Sequence, residues 1–178
     1  MAARTIGSRP RRFQLAALAL LAPFLMVALL TVARPAAAAP EDGPRVTPCA
    51  AADAPEGPRL RVTVTEARRA AGNATITIYG PRPERFLASR AYLARQRVPL
   101  RATSAEACFA LAAPGTYAIA VYHDENGDHD FNRTVIGMPA EGYGFSNDAP
   151  TVTGLPSFSA VRFSVPAGNS AMTIRLRY

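Results

Sequence analysis

The strongest constraint on this chain is a set of short runs in which apolar and polar residues alternate strictly. LRVTVT (60–65) sets Leu60, Val62 and Val64 against Arg61, Thr63 and Thr65, and ATITIY (74–79) repeats the pattern through Ala74, Ile76 and Ile78. TYAIAVY (116–122) places Tyr117, Ile119 and Val121 on one face and the small Ala118 and Ala120 on the other. SAVRFSV (159–165) and AMTIRLRY (171–178) alternate in the same way. Successive side chains of a strand point to opposite faces, so period two marks half-buried strands. Pro/Gly turns such as Pro114-Gly115 and Gly154-Leu155-Pro156 separate them.

Weaker segments fill in the rest. Residues 95–100 read as a strand with Gln96, Val98 and Leu100 on one face, and Pro99 suits an edge position. Residues 106–112 put either Cys108 or Phe109 inward, and one short helix is expected after Pro83, with Phe86 and Leu87 inward. Ala71-Gly72-Asn73 is a turn signal that makes 60–65 and 74–79 a hairpin or near-hairpin. About seven short strands with at most one short helix define an all-β fold, a single antiparallel β-sandwich.

The N-terminus reads as an address. Arg4, Arg9, Arg11 and Arg12 precede an apolar run from Leu15 to Val32, and Ala36-Ala37-Ala38 offers an A-x-A cleavage site. Residues 1–38 are therefore expected to be a Sec-type signal peptide, and the mature protein to be periplasmic or secreted. A membrane contact is expected only through this segment, if it stays uncleaved. Residues 39–58 read as a Pro/Ala-rich linker and 59–178 as the sandwich domain.

Removing the signal changes the electrostatics. The chain carries a net charge of +7, but five of its twenty basic residues lie at or before Arg34, leaving fifteen against thirteen acids, a balance of +2. That balance argues against nucleic acid as a partner. The two cysteines, Cys49 and Cys108, are most simply read in an exported chain as a disulfide.

Candidate chemistry concentrates between His123 and Asn147. HDENGDHDFN (123–132) spaces Asp124, Asn126, Asp128 and Asp130 at every second position, so a curled chain would aim their oxygens at one centre. Calcium loops collect hard oxygen ligands in that way. An EF-hand is rejected, because His129 stands where its glycine belongs and Val135 where its bidentate glutamate belongs. A looser calcium site survives, with Glu141 as a further ligand. The competing reading is a solvated turn, since Asp, Asn and Gly are turn residues in any case.

EGYGFSN (141–147) has two glycines that free the backbone and two rings, Tyr143 and Phe145. Those rings close one end of the sandwich or, with His123 and Asn147, form a platform for a sugar or peptide. No G-x-S-x-G nucleophile motif is present. His123 and Asp124 are no dyad, because adjacent strand residues face opposite ways.

Three motifs together, PGTYAIAVYHDENGD (114–128), IGMPAEGYGFSNDA (136–149) and Pro156-Ser157-Phe158 with Ala160 and Phe163, resemble the exported bacterial family called domain of unknown function 2141. The likeness covers roughly residues 59 to 178. PGTY before an alternating strand also resembles prealbumin-like and carboxypeptidase-regulatory-type domains, which implies an immunoglobulin- or prealbumin-like sandwich. The functional expectation is an exported, non-catalytic binding or envelope accessory module with calcium as candidate ligand and partners unknown. The alternatives are a small extracytoplasmic hydrolase using His123, Asp124 and Glu141, and a purely structural domain.

Overall fold

The computed structural model describes residues 43–152 and 154–178. The expected signal segment lies outside the described residues. Two sheets face each other. The first runs in the order β1 (Val46–Pro48), β5 (Ala105–Leu111), β2 (Arg59–Thr65), β9 (Ser170–Arg175). The second runs β4 (Ala94–Pro99), β3 (Asn73–Tyr79), β6 (Gly115–Asp124), β7 (Tyr143–Phe145), with β8 (Phe163–Val165) also paired to β6. The fold is an all-β sandwich, as the alternation predicts.

The inward positions of each run meet in one core. Leu60, Val62 and Val64 of β2, Ile76 and Ile78 of β3, Phe109 and Leu111 of β5, Tyr117, Ile119 and Val121 of β6, and Ile174 of β9 form a single cluster. Between the two options at 106–112, Phe109 is the buried one. Tyr117 enters the core with its hydroxyl donating to Ala113 O at 2.7 Å, and burial pushes that phenol up to about 12. Gln96 also faces inward and donates through Nε2 to Cys108 O at 2.8 Å, tying β4 to β5 of the opposite sheet.

Four expectations require correction. β2 and β3 are not a hairpin, because they belong to different sheets. Seven residues separate them, with Glu66 and Gly72 at positive φ and Ala67 buried, and this connection arches across the sandwich. The sandwich is not purely antiparallel either, since β9 pairs parallel to β2, Leu60 opposite Ser170 through Thr65 opposite Arg175. SAVRFSV is split into a helical turn, α1 (Phe158–Val161), followed by β8. Finally, Phe86 and Leu87 do not reach the core. Pro83–Arg85 form a single 3-10 turn, Phe86 packs on the outer face of the second sheet, and Leu87 stays partly exposed.

The segment read as a linker is partly docked. Val46–Pro48 pair antiparallel with β5, and Cys49 is bonded to Cys108 with Cα atoms 5.4 Å apart. Among the described residues no helix is long and apolar enough to cross a membrane.

β6 is the longest strand among the described residues and organises the second sheet. One edge pairs with β3, while the other is shared by β8 at Gly115–Tyr117 and β7 at Ala120–Tyr122. Ser146 fills the gap between those short strands. Its Oγ accepts the Ile119 N–H at 3.0 Å and donates to Val161 O. Nearby, Arg177 exchanges backbone hydrogen bonds with Tyr143, which closes one side of the sandwich after β9.

Candidate functional site

The residues singled out by sequence separate into a polar hub, closed by internal hydrogen bonds, and an aromatic groove, which is open. The carboxylates of the acidic loop bond to the loop's own backbone. Asp124 accepts the Gly127 N–H on Oδ1 at 2.8 Å and the His129 N–H on Oδ2 at 3.2 Å. Asn126 Oδ1 accepts the Asp128 N–H at 3.1 Å, while its Nδ2 donates to Asp128 Oδ2 at 2.7 Å. Asp128 Oδ1 accepts the Asp130 N–H at 2.8 Å, and Asp130 accepts from Phe131 N at 2.9 Å. Glu141 reaches across, taking the Glu125 N–H on Oε1 at 2.9 Å and the Asn132 N–H on Oε2 at 3.1 Å.

Each carboxylate thus meets backbone amides. The Asp130 N–H, then the Asn132 and Asn126 amides, hold the Asp128 carboxyl below its usual range. Among the described residues no group of three or more His, Cys, Asp or Glu side chains is arranged to hold a metal ion. Asp124, Asn126, Asp128, Asp130 and Glu141 are instead spread along the loop as hydrogen-bond acceptors for its own turns.

His123 turns the other way, into the sandwich, and is fully buried. Its Nε2 lies 2.8 Å from Ala71 O and its Nδ1 2.7 Å from the Tyr178 hydroxyl. A carbonyl can only accept, so Nε2 carries a hydrogen and donates to Ala71 O, while Nδ1 is paired with the Tyr178 hydroxyl. The Tyr178 oxygen in turn accepts the Arg68 N–H at 2.9 Å. Burial raises the Tyr178 phenol, with the Arg68 N–H pulling the other way. Arg68 also stacks over the Tyr178 ring at 4.7 Å, and with Arg69 it pairs Glu125, each at 2.6 Å. His123, Asp124 and Glu141 are therefore all engaged in internal hydrogen bonds.

The glycines of EGYGF serve close approach rather than turning. A Cβ at Gly142 would lie 2.4 Å from the Tyr178 ring, and one at Gly144 would lie 2.4 Å from Arg175 O. Asn147 is a positioning residue, its Nδ2 donating to Ala160 O at 3.1 Å and Arg162 O at 2.9 Å. Asp148, which sequence reasoning missed, accepts from the Arg175 backbone N–H at 3.0 Å and from its guanidinium, fastening this segment to β9. Desolvation pushes the Asp148 carboxyl up, but those Arg175 bonds and the charge of Arg177 outweigh it and hold it low.

Tyr143 and Phe145 do open onto a cavity. It lies on the outer face of the second sheet, has a volume of about 270 Å³, and is mainly apolar. Small Ala120 leaves the depression, Tyr122 and Thr77 flank it, and Phe131 and Arg133 form a wall contributed by the end of the acidic loop. The rings form a continuous series: Tyr122 to Phe131 at 5.7 Å, Phe131 to Tyr143 at 5.8 Å, Tyr143 to Phe145 at 6.1 Å, and Phe145 to Phe86 at 6.1 Å, all edge-to-face. Arg95 projects from β4 into the same groove. Of the four expected ligand-contact residues, the groove therefore takes Tyr143 and Phe145, while His123 and Asn147 lie elsewhere. The alternation of β6 already puts Ala120 and Tyr122 on one face; nothing in the sequence pairs them with Phe131 or Arg95.

An all-β sandwich with an aromatic groove on one outer face is the class of protein that fold and site define. Residues 62–174 match the family described as an uncharacterised protein conserved in bacteria, domain of unknown function 2141, and the chain belongs to that family. No curated protein and no solved structure matches it.

Proposed function

We propose that this domain is a non-catalytic module that binds a small ligand in the groove bounded by Tyr122, Phe131, Tyr143 and Phe145. The observation that carries this reading is a contrast. The acid–base side chains are committed to internal bonds, whereas the one concave aromatic surface described above is open and presents no carboxylate or imidazole. A general acid or base has to reach the proton it moves, and His123, Asp124 and Glu141 face their own backbone. The role of the acidic loop in this reading is to hold Phe131 and Arg133 as a wall.

The export signal, read from residues 1–38, makes the module extracytoplasmic, and the PGTY stretch supports a prealbumin-like kind of sandwich. Titrating isotope-labelled domain with a library of small cyclic compounds tests the binding reading by NMR. Hits are expected to move the Ala120, Tyr122 and Tyr143 amides, and Tyr143→Ala should weaken them by about tenfold, the worth of one aromatic contact. Hits that leave those amides unmoved, or that bind Tyr143→Ala equally well, would refute it.

A further inference from the structure

Resting on that reading, we infer that the groove selects a ring-shaped ligand bearing a carboxylate, with the ring against Tyr122 and Tyr143 and the anion taken by Arg95 and Arg133. Both guanidinium groups line the cavity. Neither has a carboxylate partner among the described residues, whereas Arg45, Arg61, Arg68, Arg69, Arg175 and Arg177 each do. The acids of the loop offer no substitute, because Asp124, Asp128, Asp130 and Glu141 each accept from loop amides and none pairs with Arg95 or Arg133.

Both cations are also held in place without being neutralised. Arg95 Nε donates to Thr77 Oγ1 at 2.9 Å, with its guanidinium 4.5 Å from the Tyr92 ring. Arg133 donates to Gly137 O at 3.0 Å and lies 5.2 Å from the Phe131 ring. Arg95 also meets the Tyr79 hydroxyl, and with five N–H groups on each guanidinium both still keep donors free. Prior ordering lowers the entropy lost on binding, and a planar fork matches a carboxylate's two oxygens. Arg95 is half-buried against the apolar wall, which strengthens its attraction relative to open water, while Arg133 stands exposed at the rim. A cavity of about 270 Å³ lies just below the usual range of ligand sites, which favours one or two rings over a polymer.

The test is an NMR titration of the oxidised domain with benzoate and glucuronate, beside their neutral counterparts benzyl alcohol and glucose. The expected result is that at least one carboxylate probe binds about tenfold more tightly than its neutral partner, as charge-assisted bonds allow. That advantage should vanish in the double variant Arg95→Gln/Arg133→Gln, whose unperturbed spectrum elsewhere reports an intact fold. Preference for benzoate or for glucuronate names the ring. Equal binding of charged and neutral probes at Tyr122 and Tyr143, or an advantage that survives in the double variant, overturns the anion assignment and leaves the groove reading standing. No shift at those residues with any probe overturns both.

Discussion

Ser146 sits where two three-residue strands approach β6 from the same side, and no ladder can run through that point. Its hydroxyl stands in for a strand by accepting from Ile119 and donating to Val161 O. Ser146→Ala leaves a buried N–H and a buried carbonyl unpaired, at a cost of about 1–3 kcal/mol. Urea unfolding should show that loss as a lower midpoint with an unchanged slope, and an unshifted midpoint would assign the hydroxyl no structural role. A serine in FSND carries no sequence mark of this duty. Tyr143 and Phe145 were legible because rings beside glycines are conspicuous. His123 was legible as special, but its environment depends on Tyr178, 55 residues away in sequence, and no local pattern states that contact.

At the scale of elements, alternation identified which residues face together and left open which strands pair. Leu60–Thr65 and Ala74–Tyr79 were both correct as strands, yet the connection between them crosses from one sheet to the other. SAVRFSV misled for a related reason: Val161 and Val165 are both buried, but in different clusters on opposite sides of the second sheet. The acidic loop closes on itself without gathering its oxygens at one centre. Asp124, Asn126, Asp128 and Asp130 each accept a backbone N–H of the loop, and the last three stay exposed. A domain whose loop is closed in this way should melt at the same temperature in chelator and in millimolar calcium. A calcium-dependent rise in Tm, abolished in Asp124→Ala, would instead make the loop a metal site, since ligand binding to the native state must stabilise it. Beyond the loop, the turn after Arg133 holds Val135, Ile136 and Met138 in solvent, bracketed by the Thr134–Met138 and Ala140–Asn132 backbone bonds.

For the molecule as a whole, the Cys49–Cys108 bridge and the β2–β9 ladder bind distant parts of the chain. The bridge spans 59 residues, for which the chain-entropy model gives about 4 kcal/mol through the unfolded state. Reduction followed by urea unfolding should lower stability by about that amount, and a reduced domain as stable as the oxidised one would show the bridge to be incidental. The parallel ladder has a consequence of another kind. Leu60 finds Ser170 across most of the domain, and contacts so remote in sequence are slow to form, because a large loop must close before any of them is made. Until β9 arrives, β2 presents a bare edge of unpaired backbone groups, the kind of template on which a second unfinished copy can add. The interval between the pairing of β5 and the docking of β9 is therefore when this protein is most exposed to self-association, and a partner that shields that edge during maturation would act on yield rather than on the finished fold.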